Sequence, residues 1–112
     1  MPFLVPDDVD LLQYFGVPPV EQGTSDGYSC YAVNDTRGVE LRFSFDTLER
    51  SVQTVLSSQR TRIALISREG ADRMYLRAGT LCCEFSTLAE KTMLTLQVHP
   101  VISVVWAGLC AE

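Results

Sequence analysis

The sequence predicts a mainly β protein of the α+β class: an antiparallel meander sheet, curved or sandwich-like, preceded by one short N-terminal helix. The clearest observation is residues 39–46, where apolar and polar side chains alternate without interruption, as in a strand with one buried face. Further short segments rich in β-branched and aromatic residues follow, separated by closely spaced turn formers. With 112 residues, of which 46% are hydrophobic and 21% charged, the chain is predicted to form a single globular domain.

The helix is predicted over about residues 7–15, with Asp7 or Asp8 as its N-cap and Gly16 at its end. Three of its residues are expected on or near one buried face: Val9, Leu12 and Phe15. A loop rich in turn formers follows the helix. The predicted domain thus has two parts, an acidic helical arm with its loop and an antiparallel sheet: residues 1–27 and residues 28–107.

Strands are predicted where the period of apolar residues is two. They cover these ranges: 28–33, 39–46, 62–67, 73–77, 81–85, 92–98 and 101–106. The first two are expected to form a hairpin through the loop at residues 34–38. The last range, residues 101–106, has apolar residues at both odd and even positions. We therefore expect a central strand that is covered on both faces, or an interface.

Residues 47–59 leave two alternatives open. Apolar residues here fit a helical stripe after a capping box at residues 46–49, which would give a second helix at residues 47–58. Residues 51–56 also fit a strand, and their Ser, Thr and Val side chains favour a strand over a helix. We therefore expect a strand.

The net charge of −5 is distributed unevenly along the chain. Residues 1–36 contain six acidic residues and no Lys or Arg, whereas the remainder holds eight acidic and nine basic residues. Without a basic patch, direct binding to nucleic acid or to an anionic membrane is disfavoured, and a basic protein is the better electrostatic match. The arginines are interleaved with acidic residues, which predicts cross-strand ion pairs.

No metal or cofactor site is predicted. Adjacent Cys82 and Cys83 would point to opposite faces of a strand, and no second Cys or His lies at the spacing of a zinc site. The only histidine, His99, precedes Pro100, which predicts a turn. The N-terminal residues do not resemble a secretory signal, so a reduced, cytoplasmic setting is expected. The longest apolar stretch, residues 101–109, is too short to span a membrane.

Four segments resemble small immunity proteins of bacterial polymorphic toxins, including those of contact-dependent growth inhibition systems: residues 43–46, 48–53, 67–70 and 94–98. The similarity spans about residues 39–106. The resemblance implies a non-enzymatic, cytoplasmic protein, encoded beside a toxin, that binds the C-terminal domain of the toxin tightly and blocks its active site. Because such toxins are often basic nucleases, it also implies a nuclease as partner. The family provides no common set of binding residues.

We place the toxin-binding surface on the acidic N-terminal third, because carboxylates can occupy a basic cleft that otherwise binds phosphates. The candidate partner-binding residues are five acidic residues and one tyrosine: Asp7, Asp8, Asp10, Tyr14, Glu21 and Asp26. An exposed strand edge that pairs with a toxin strand is an alternative surface. Two other functions stay open, together with the oligomeric state. They are a structural subunit that self-associates through residues 101–106 and an enzyme that uses Cys82 or Cys83 with His99.

Overall fold

Two antiparallel sheets account for most of the chain. The computed structural model describes residues 3–23, 27–86 and 90–110. Within these ranges the chain forms one helix and nine strands: α1 Asp8–Phe15, β1 Glu21–Gln22, β2 Tyr28–Asn34, β3 Val39–Asp46, β4 Ser51–Ser58, β5 Thr61–Glu69, β6 Ala71–Arg77, β7 Thr80–Ser86, β8 Glu90–Gln97 and β9 Ser103–Cys110. Strands β1 to β5 form the first sheet and β6 to β9 the second, each in chain order. The predicted fold class is confirmed.

The core lies between the two sheets, because strands of both sheets direct alternate side chains toward the opposite sheet. In β3, the inward residues Leu41, Phe43 and Phe45 are buried, as the alternation predicted. The second sheet contributes a matching set of buried residues: Met74, Leu81, Cys83, Phe85, Leu94 and Leu96. The predicted hairpin through residues 34–38 is also present, since β2 and β3 pair in register on either side of it.

The ambiguous segment forms a strand, and the second helix is absent from residues 47–58. Residues 47–50 form a turn, and β4 follows at Ser51. Val52 pairs with Phe45 and Thr54 pairs with Phe43. Both are buried, as expected for alternate residues of a strand that face the core. A helix here would remove the strand that joins β3 to β5.

The helix packs on the sheets by a different face from the one predicted. Leu11 and Phe15 are buried, whereas Val9 and Leu12 are exposed. The Phe15 ring stacks on Tyr31 with centroids 4.5 Å apart, so the residue one turn earlier, Leu11, also faces the core. The expectation that Val9 and Leu12 form the buried face is therefore wrong, because the contact with Tyr31 fixes the rotation of the helix. Its limits are as predicted, with Gly16 in the left-handed conformation at its C-cap.

The apolar run at residues 101–106 forms an edge and not a covered central strand. It contributes to β9, which pairs with β8 alone among the described strands. Val104 and Trp106 pack against the core, but Val105, on the other face, is half exposed. The Trp106 indole Nε1 donates a hydrogen bond of 3.0 Å to Thr54 Oγ1 and so joins β9 to the first sheet. Apolar residues at both parities therefore do not guarantee coverage on both faces.

A buried carboxylate, Asp35, joins the turn after β2 to the loop before β9. Its side chain is inaccessible to solvent and accepts hydrogen bonds from the backbone N–H groups of Arg37, Val39 and Ile102, at 2.8, 3.1 and 3.0 Å. The Arg37 guanidinium pairs with the same carboxylate at 2.8 Å. Burial alone would raise the pKa of Asp35, but these hydrogen bonds outweigh it and hold the pKa well below its usual range. We call these groups the Asp35 clamp.

Candidate protein-docking surfaces

Three of the acidic residues predicted to bind a partner are exposed at the start of α1. Asp7 is the N-cap residue: its backbone carbonyl accepts a hydrogen bond of 3.0 Å from Leu11 N, while its side chain makes no capping bond. Asp8 and Asp10 lie in the first turn and are exposed. Within the described part of the chain, none of these three carboxylates forms a hydrogen bond or an ion pair. Their negative charge is therefore directed to solvent at the positive end of the helix dipole.

Two apolar side chains stand beside these carboxylates. Val9 is 64% exposed and Leu12 is 44% exposed, as a consequence of the rotation that buries Leu11 and Phe15. Together the five neighbouring residues make a mixed surface, which we call the acidic helix surface: Asp7, Asp8, Val9, Asp10 and Leu12. Charged groups around apolar side chains are typical of the rim and centre of a protein interface.

The other predicted residues do not join this surface in the same way. Tyr14 is half buried: its hydroxyl donates a hydrogen bond of 2.7 Å to Leu96 O, and burial raises the pKa of its phenol. Glu21 is exposed on β1, where its carboxylate is 3.4 Å from Arg42 and accepts a hydrogen bond of 3.4 Å from the Tyr28 hydroxyl. Asp26 lies outside the described residues. Tyr14 therefore has a packing role, and Glu21 is already partly neutralised.

The sequence interpretation did not single out the edge strand β5. Eight of its nine residues are exposed, and within the described chain it pairs with β4 only. Ile63, Leu65 and Ile66 are 63%, 44% and 37% exposed. We call residues Thr61–Glu69 the β5 edge. The signal was present in the sequence, because residues 63–66 are apolar at both parities, as are residues 101–106.

The predicted cross-strand pairing of arginines with acidic residues is present between Arg73 and Glu84. Arg73 lies opposite Glu84 across β6 and β7, with Nε and Oε1 3.0 Å apart, and it also lies over the Tyr75 ring at 4.5 Å. The hydrogen bond from Arg73 lowers the pKa of Glu84. Arg50 pairs with Asp72 at 2.9 Å where the chain passes from the first sheet to the second. These arginines are engaged within the protein.

The thiols are placed for packing. Cys82 and Cys83 point to opposite faces of β7, as predicted, since Cys82 pairs with Tyr75 while Cys83 pairs with buried Leu94. Burial raises the pKa of Cys83 far above its usual value, which disfavours the nucleophilic thiolate. Among the described residues, no group of three His, Cys, Asp or Glu side chains could hold a metal ion.

In the same ranges of the chain, none of the helical structure has the length and apolar character needed to cross a membrane.

Comparison with known proteins links this geometry to one class of complex. No protein-family model matches the sequence, and no curated protein matches it. A chain of the contact-dependent growth inhibition toxin–immunity protein complex from Klebsiella pneumoniae 342 shares the fold, with a TM-score of 0.87 over 96% of this chain and 97% of that chain. The two sequences are 18% identical. The resemblance seen in the sequence is thus confirmed at the level of the fold. This protein has the fold of one chain of a contact-dependent growth inhibition toxin–immunity protein complex.

Proposed function

We propose that this chain is an immunity protein that binds and neutralises a cognate bacterial toxin. The likeness in fold to a chain of a toxin–immunity protein complex carries the proposal, because it covers both chains almost completely. The resemblance found in the sequence supports the same class independently. In this function the protein is cytoplasmic and non-enzymatic, and its partner is the C-terminal domain of the toxin.

The charge of the chain supports the immunity component over the toxin component. A toxin that attacks nucleic acid needs a basic cleft for phosphates, whereas this chain has a net charge of −5 and a pI near 4.7. The carboxylates of the acidic helix surface are unpaired within the described residues and lie beside exposed Val9 and Leu12. We infer that this surface is attracted to a basic nuclease and that the bound immunity protein covers the nuclease active site.

Expression of each gene alone and of both together tests the function. The product of the neighbouring gene is expected to arrest growth when expressed alone and to be harmless when this chain is present. The two purified proteins are expected to form a stoichiometric complex that associates more slowly at high salt. Arrest of growth by this chain alone would assign it to the toxin side of the pair. Absence of both a complex and protection would overturn the proposed function.

A further inference from the structure

We propose that an extended segment of the toxin pairs with the β5 edge and adds a sixth strand to the first sheet. This inference rests on the proposed function and deepens it, because it names a docking surface and the chemistry of the segment that binds there. The occupant is a strand with apolar residues at its centre and acidic residues at the end that lies beside residues 60–62. The argument depends on the exposure, pairing and charge of β5.

The edges of the two sheets differ in how well they are protected. At one side of the first sheet, β1 has only two residues, so it offers little backbone to a partner. At one side of the second sheet, Leu4 forms a bridge to the middle of β6: its N–H donates to Asp72 O at 3.2 Å and its carbonyl accepts from Met74 N at 2.7 Å. This leaves β5 and β9 as the long edges of the described sheets.

β5 is the less covered of these two edges. In β9, alternate side chains Val104 and Trp106 pack against the core, and Trp106 is fixed by its hydrogen bond to Thr54. In β5, by contrast, both faces are open: Leu65 pairs with Val55 on one face and Ile66 with Thr54 on the other, and both are exposed. A long edge with exposed apolar side chains favours pairing with another strand.

The charges around β5 specify the kind of strand that fits. Arg60 lies immediately before β5 and Arg62 at its start, with Glu69 as the single acidic residue of the strand. The apolar residues 63–66 follow Arg62. A partner strand with an apolar centre and Asp or Glu beside Arg60 and Arg62 is therefore complementary, and one with Lys or Arg there is repelled. This contact and the acidic helix surface would then bind different parts of a toxin that is basic at its active site.

Hydrogen exchange on the complex tests this directly. The probe is the neighbouring gene's toxin domain, added to this chain labelled for NMR. In an edge strand, the amides that face away from the neighbouring strand have no partner, and strand addition gives them one. We expect these amides in residues 61–69 to exchange at least about tenfold more slowly in the complex, while the amides of β9 are unchanged.

Two variants provide a matched pair for the same question. Leu65→Lys places a charge on the exposed β5 edge, and Val105→Lys places the same charge on the exposed face of β9. Both positions are half exposed, so we expect both variants to fold, as circular dichroism would verify. Leu65→Lys should raise the dissociation rate of the toxin domain at least about tenfold, and Val105→Lys by less than about threefold.

The outcomes separate this inference from the proposed function. A complex that forms without added protection in β5, or with protection in β9 or α1 alone, overturns the β5 proposal and leaves the immunity function intact. Protection in β5 together with the effect of Leu65→Lys supports the proposal. If the neighbouring toxin domain does not bind this chain at all, the proposed function is overturned and this inference with it.

Discussion

The acidic helix surface and the β5 edge offer a partner opposite kinds of contact. The helix surface presents carboxylates whose backbone is already hydrogen-bonded within α1, so long-range charge dominates its interaction. Among the described residues, the backbone of the β5 edge pairs on one side only, and apolar side chains and arginines lie along it. Charged surfaces mainly set how fast partners meet, whereas buried contacts mainly set how long they stay together. We therefore expect the acidic helix surface to govern the rate of association with the toxin, and the β5 edge to govern the rate of dissociation.

The largest effect is expected from removing the contact that holds the helix surface in place. Phe15 is buried between the rings of Tyr31 and Phe43, at centroid distances of 4.5 and 5.8 Å. Phe15→Ala should lower the free energy of unfolding by about 3–5 kcal/mol, as measured by chemical denaturation. Leu12→Ala, on the exposed face of the same helix, is the control and should change it by less than about 0.5 kcal/mol. Equal losses in the two variants would contradict the observed rotation of α1.

A pH titration tests how much the Asp35 clamp contributes to stability near the start of β5. The Asp35 clamp lies at the end of the first sheet where β4 turns into β5, since Val39 pairs with Ser58 and Ser58 with Thr61. Because the folded pKa of Asp35 is lowered, its contribution to stability is complete above the unfolded pKa of about 4 and is lost as the pH falls below it. Thermal unfolding between pH 6 and pH 2.5 should therefore show a steep loss of stability in acid.

The control for this titration is Asp35→Asn, which removes the titrating group. It should be less stable at neutral pH because it loses the charge-assisted hydrogen bonds, and its stability should depend less on pH below about pH 4. An unchanged acid profile in this variant would show that other carboxylates cause the acid loss.

Charge reversal should separate the two surfaces kinetically. Asp8→Lys combined with Asp10→Lys is expected to slow association with the toxin domain roughly tenfold at low salt and to leave the dissociation rate nearly unchanged. Surface plasmon resonance at two salt concentrations measures both rates. Glu40→Lys combined with Glu49→Lys is the control, since it changes the net charge equally at positions outside α1. If both pairs slow association equally, net charge is responsible and the helix surface is not.

The smallest effect is expected at Tyr14. Tyr14→Phe removes the hydrogen bond to Leu96 O and should lower the free energy of unfolding by about 1 kcal/mol. Both rate constants for the toxin domain should stay within about twofold of the original, because the hydroxyl is directed into the protein. A larger change in either rate would show that Tyr14 contacts the toxin, as the sequence predicted.

The sequence was sufficient for the fold where a local pattern and the tertiary contacts agree. Residues 39–46 alternate because one face of β3 is buried, and residues 51–56 carry side chains that fit a strand. It was insufficient where burial depends on a distant partner. The face that α1 buries is selected by Tyr31, and the exposure of residues 63–66 and of Val105 depends on which strands end up at an edge.

Some features of the candidate docking surfaces could likewise be predicted from the sequence, and others could not. Acidity can be counted from the sequence alone, so the sequence indicates Asp7, Asp8 and Asp10 as candidate contact residues, and the structure shows that they are exposed. The bond from Tyr14 to Leu96 spans 82 positions of the chain, and no local pattern encodes it. The β5 edge was missed for a related reason, because an apolar run does not reveal whether a second sheet will cover it.

The order of the strands has a consequence for synthesis. Within each sheet, every described strand pairs with its neighbours in the chain, and the chain passes between the sheets at Gly70, between β5 and β6. Such local pairings close only short loops and form quickly. As the chain leaves the ribosome N-terminus first, the residues of the first sheet emerge before those of the second. The arginines of β5 are then already in place, and their charge protects the nascent edge against pairing with other unfinished chains.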